Sequence, residues 1–177
     1  NIREVVEDKY NSQQQLVEKN ILQTINYIND SYKIVEQQLN EEMREYSGQL
    51  VEKYKSNPDV MSWNLEEIQQ QFSGYDIYIV DQDLRIIKTT YQEDLGLDFS
   101  RFGSFASVLR ERMRGNEFEV DRIDLSTQTG EIKKYSYMPS PDNQYLFELS
   151  VSIEDQYPSF QNLNLFKDAT ALTKEYE

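Results

Sequence analysis

The residue types that could recognise another molecule gather in two stretches. Arg101, Arg110 and Arg112 fall within residues 91–114, together with Tyr91 and Phe105, while Tyr78, Tyr135 and Tyr137 fall outside it. An arginine turned inward holds a carboxylate through two parallel hydrogen bonds. A tyrosine offers a ligand an apolar wall and a hydroxyl that orients its polar end. Tyr135 and Tyr137 are two residues apart, so on a strand they share one face. A structural reading competes with each of these. Arg110 and Arg112 could be solvated helix residues paired with Glu111 or Glu117, and tyrosine is a favoured strand residue in its own right. The candidate ligand-binding set is Tyr78, Tyr91, Arg101, Phe105, Arg110, Tyr135 and Tyr137.

Catalysis is the weaker class. The 177 residues include no Cys and no His, which removes thiolate nucleophiles, the usual zinc sites and the commonest general base. No nucleophile elbow, phosphate-binding loop or zinc-protease helix motif occurs. Asp76, Asp81 and Asp83 lack the glycine and closing glutamate of a calcium loop, and turn chemistry accounts for them better. No metal and no cofactor is expected. The net charge is −14, from 32 acidic and 18 basic residues. Such a surface repels phosphate backbones and anionic headgroups, so nucleic acid is not an expected partner. No apolar run approaches the ~18 residues of a membrane span.

These groups must be positioned by a helix and a sheet. Residues 2–55 hold no Pro and a single Gly, Gly48, and their apolar side chains recur at threes and fours from Ile21 onward. That is one stripe along an α-helix of ~50 residues, ~75 Å at 1.5 Å per residue. Asn57-Pro58 ends it, because a residue before Pro is pushed out of the α region. The stripe could be a dimer seam in its first half and core in its second. Asn64 is placed to cap a short helix over 65–72, with Glu67 completing a capping box. After Gly74 the period changes to two. Strands are expected at 75–80, 84–90, 118–125, 132–138 and 145–153. A helix is expected over 102–114, with Ser100 as a cap before it and Gly115 as a left-handed cap after it, and a last helix over 163–176. Short joins imply antiparallel neighbours, and the whole is α+β. The strand at 75–80 is apolar on both faces and belongs inside the sheet.

At this point the chain resembles a known family. Residues 78–90 (YIVDQDLRIIKTT) resemble the first hairpin of Cache (PAS-like) extracellular sensor domains. Residues 94–100 (DLGLDFS) resemble the loop before the ligand-side helix, and 135–141 (YSYMPSP) followed by 145–153 resemble the last hairpin. The resemblance implies a long helix packed on a five-stranded antiparallel sheet of order 2-1-5-4-3. It also implies a signal-input role outside the bacterial membrane, in a receptor such as a histidine kinase, a diguanylate cyclase or a chemoreceptor. Membrane attachment would come only through flanking helices. The chain begins at Asn1 without Met and stops inside a helical pattern, as a segment of a longer protein would.

The expected organisation is a helix over 1–57 that serves as stalk and sheet cover, a sensor module over 58–160, and a connector helix over 161–177. The expected function is sensing of a small polar organic ligand, a carboxylate among the candidates, by a homodimer joined through the N-terminal helix. The alternative is a structural or dimerisation module with no small-molecule ligand.

Overall fold

The computed structural model describes residues 1–121, 123–125 and 130–160. The expected helix over 163–176 lies outside them. Helix α1 runs from Ile2 to Ser56. It stops where expected: Asn57 N makes a last bond to Lys53 O at 2.8 Å, and Pro58 has no N–H with which to continue. The chain forms two compact units, Asn1–Gln38 and a second beginning at Leu39. In the first, Ile2, Val5, Val6, Leu16, Val17 and Ile21 are exposed. In the second, the end of α1 buries Leu39, Met43, Leu50 and Tyr54.

A 3-10 turn, Val60–Ser62, leads to α2, Leu65–Gln71. Asn64 Oδ1 accepts from Glu67 N at 3.2 Å, the cap that the sequence announces. Ser73 and Gly74 then both take left-handed φ, 51° and 82°, and turn the chain into the sheet. Its strands are β1, Asp76–Val80; β2, Ile86–Thr89; β3, Glu119–Val120; β4, Asp124–Leu125; β5, Ile132–Pro139; and β6, Leu146–Ser152. Helix α3, Gly103–Arg114, separates β2 from β3, and a single turn, α4, Ile153–Gln156, follows β6. The order is β2-β1-β6-β5-β3, with β4 also on β5, and all pairings are antiparallel. With β3 and β4 counted as the third strand of the sequence, this is the 2-1-5-4-3 order of an α+β fold.

Three local expectations are corrected. The strand expected over 118–125 is broken into β3 and β4. Val120 pairs with Ser136 and Asp124 with Lys133, so three residues on one side face two on the other. One extra residue interrupts the ladder, as in a β-bulge. Gly115 is not a left-handed cap, having φ −79° and ψ −166°. The carbonyls at the end of α3 are met instead by Asn143, whose Nδ2 donates to Met113 O and Gly115 O, both at 2.7 Å. Asp98, not Ser100, is the capping side chain in the loop before α3; it accepts from Ser100 N at 2.9 Å.

Candidate functional site

Strand alternation assigns each side chain of the sheet to one of two faces. Ile77, Ile79, Phe147, Leu149 and Val151 lie on the face toward α1, where Tyr54 meets Phe147 edge-on with ring centroids 5.9 Å apart. The other face carries Tyr78, Val80, Tyr137 and Leu146, packed with Ala106, Leu109 and Met113 of α3. Tyr91, Phe105 and Tyr135 border that cluster. Five of the seven candidate residues are therefore brought together: Tyr78, Tyr91, Phe105, Tyr135 and Tyr137.

The two arginines of the set are not. Arg101 is 84% exposed and lies 3.8 Å from Asp98. Arg110 is exposed on α3. The inward arginine is Arg112, 16% exposed. Arg110 and Arg112 flank the buried stripe of Ala106, Leu109 and Met113 on opposite sides, and only the Arg112 flank meets the tyrosines. Arg112 Nη2 donates to Asp121 Oδ1 at 2.6 Å, and its guanidinium lies 4.7 Å from the centre of the Tyr137 ring. Its Nη1 is buried and has no hydrogen bond among the described residues. Beside it opens a cleft of about 420 Å³, lined by Val108, Arg112, Asn116, Glu117 and Glu119 among others.

The central residue of this face is one that the candidate set omits. Glu148 pairs in register with Tyr78 on β1 and with Tyr137 on β5, and is 3% exposed. The Tyr137 side chain stands beside its carboxylate. Burial pushes the Glu148 carboxyl up to about 8; Asp94 and Asp121 add to the rise, while Tyr137 and Arg112 oppose it. Burial likewise raises Tyr137 and Tyr78, and half-burial raises Asp94. Lys133, also buried, lies on the same face with its ammonium 4.7 Å from the centre of the Tyr91 ring. Alternation was the signal that could have found both residues: Lys133 is two before Tyr135, and Glu148 sits between Leu146 and Ser150.

Two of the three aspartates hold turns and strand ends through their carboxylates. Asp81 Oδ1 accepts from Asp83 N and Arg85 N, both at 3.0 Å, and Asp76 accepts from Thr90 Oγ1 at 2.8 Å. Among the described residues, no group of three or more acidic, His or Cys side chains could hold a metal ion. No described helix is long and apolar enough to cross a membrane.

No family profile matches the chain, and no curated protein matches it in sequence. Among solved structures it is similar to one described as the periplasmic sensor domain of a chemotaxis protein. The two are 14% identical, with 66% of this chain and 94% of that one covered, at a TM-score of 0.40.

Proposed function

We propose that this chain is the extracytoplasmic signal-input module of a bacterial membrane receptor, and that the α3 side of its sheet is the sensing surface. The observation that carries the reading is a polar centre where packing alone would favour an apolar one. Glu148, Tyr78 and Tyr137 stand in register under α3, and Arg112 joins them from the helix. Burying such groups costs free energy unless each is paired, and a fold that keeps them there has a use for them. The ligand is a small polar organic molecule with an acceptor oxygen, such as a carboxylate. The unpartnered Nη1 of Arg112 beside an open cleft supplies the donor. Tyr91, Phe105 and Tyr135 border the apolar cluster of the same face, while Arg101 and Arg110 steer an anion from outside. The module is not itself catalytic.

A thermal-shift screen with small carboxylates, amino acids and sugars tests this. A ligand at a hundred times its Kd stabilises the folded state by about 2.7 kcal/mol, a shift of several degrees. Arg112→Gln is expected to abolish the shift. A panel that leaves the melting temperature unmoved removes the ligand reading.

A second reading is favoured by the exposed apolar side chains of the first unit, Val5, Val6, Leu16, Val17 and Ile21. They suit a second copy of the same helix, which makes the module a homodimer. Sedimentation of the wild type beside Val17→Asp/Ile21→Asp checks it: a wild type that stays monomeric at ~100 µM rules that dimer out.

A further inference from the structure

The polar centre under α3 holds more acids than its cations cancel. Arg112 is bonded to Asp121 at 2.6 Å, and Lys133 lies over the Tyr91 ring with Glu131 at 3.7 Å. Both cations are therefore engaged. Glu148 forms no ion pair among the described residues, and its in-register neighbours are two neutral phenols, Tyr78 and Tyr137. Three acids surround it against two cations. Tyr78 and Asp76 belong to β1, Tyr137 and Lys133 to β5, Asp94 to the segment after β2, and Asp121 to the segment after α3. Among the described residues on this face, Arg112 and Lys133 are the positive ones. A carboxylate 3% exposed in that company is far more stable as the neutral acid.

We propose that Glu148 carries a proton in this packing, and that losing it as the surroundings turn alkaline loosens α3 from the sheet, so that the module senses protons. Two features connect the proton to the helix. Tyr137, the in-register neighbour of Glu148, also carries Arg112 of α3 on its ring, 4.7 Å from the centre. A negative charge on Glu148 calls for water and a counter-charge, and Arg112 can turn to it only by giving up its bond to Asp121, so the contacts that hold this flank of α3 are broken. The cleft beside Arg112 also opens this flank of α3 to water. The inference rests on this face being the sensing surface, but it needs no organic ligand.

The whole 177-residue chain, labelled with carboxyl-13C glutamate, is titrated by NMR without added ligand, and amide exchange is followed alongside. Glu148 is assigned by its loss in Glu148→Gln. One glutamate is expected to titrate with a midpoint near 8. Normalised exchange in α3 is expected to rise about tenfold or more between about pH 6 and about pH 9, while β6 stays protected. Glu148→Gln should show the same α3 exchange at both pH values. Tyr137→Phe removes the hydroxyl whose presence favours the charged form, so its midpoint should move upward. That variant also serves if Glu148→Gln does not fold. A midpoint in the ordinary carboxylate range, unchanged α3 exchange, or α3 and β6 opening together would each overturn the proposal. A ligand found by thermal shift while Glu148 fails to titrate overturns the proton switch alone. A titrating Glu148 with no ligand found overturns the organic-ligand reading alone.

Discussion

Neighbouring residues of β6 occupy opposite environments. Phe147 meets the rings of Tyr54 and Trp63, with centroids 5.9 and 5.7 Å away, on the face covered by the end of α1. Glu148, one residue on, stands beside Tyr137 on the face covered by α3. Around Phe147 the α1 face is filled by Ile77, Ile79, Leu149 and Val151, with the buried Lys134 and Ser136 confined to its β5 side. The α3 face combines an apolar cluster with Glu148, Lys133 and Arg112. Apolar packing tolerates only one arrangement, because the interior is as dense as a crystal. A polar centre has alternatives, since its protons and ion pairs can be exchanged. One face thus supplies the stability that the other needs if it is to change state.

The comparison breaks most visibly at Phe147. Phe147→Ala leaves a ring-sized cavity against Tyr54 and Trp63 and should cost about 3–5 kcal/mol in urea unfolding, at every pH. A loss below about 1 kcal/mol would mean that the α1 face does not carry the fold.

Glu148 should behave differently in kind. Its folded carboxyl titrates near 8 against an ordinary 4.5, so the protonated form is the one that folding favours. Its contribution is whole below the unfolded value, declines as pH rises above it, and is gone once pH passes the folded value. Below that upper value the slope is about 1.4 kcal/mol per pH unit. Wild-type stability should therefore fall by about 2 kcal/mol between pH 6 and pH 8, and Glu148→Gln should remove that fall. Other groups add to the curve elsewhere. Asp142 and Asp98 are held below their ordinary range, so their contributions vanish only in acid. A wild type as stable at pH 8 as at pH 6 would contradict the burial argument.

How much of this was legible follows the same division. The helix of residues 2–55, its stop at Asn57-Pro58 and the Asn64 cap are local signals, and each stands in the structure where the residues place it. Short joins and one doubly apolar strand, Asp76–Val80, made an antiparallel sheet with that strand inside it legible, while its order was implied only by the resemblance to a known family. The polar centre was harder to see because it is assembled from distant segments. Glu148, the one charged residue of its strand, gives no local sign that both its cross-strand neighbours are tyrosines. Arg110 and Arg112 are equivalent by helical position, and only the tertiary placement of α3 chooses between them. Gly115 looked like a cap because of its type, whereas Asn143, 28 residues later, does that work.

Asn143 gives a smaller test, since it holds α3 from the turn between β5 and β6. Its φ is 59°, so Asn143→Gly keeps the backbone conformation and removes only the side chain. Losing the bonds to Met113 O and Gly115 O should cost about 1–2 kcal/mol and speed amide exchange in the last turn of α3. Exchange that quickens across β6 as well would show that the cap supports the whole sheet.

The smallest expected effect asks whether the two faces communicate. The same turn also reaches the other helix: Tyr54 of α1 donates to Asp142 Oδ2 at 2.7 Å, and Ser140 Oγ bonds Asp142 Oδ1 at 2.8 Å. Asn143 is the next residue, so one tight turn holds the end of α1 through Asp142 and the end of α3 through its neighbour. Tyr54→Phe removes a hydroxyl and should cost about 1 kcal/mol by itself. If the turn moves as one body, releasing α3 with Asn143→Gly already weakens its grip on Tyr54, and the double variant should lose less than the sum of the two. A coupling of about 0.5–1 kcal/mol in the cycle is expected for groups so close. Strict additivity, within about 0.3 kcal/mol, would mean that the faces are independent and that the turn carries no message from α3 to α1.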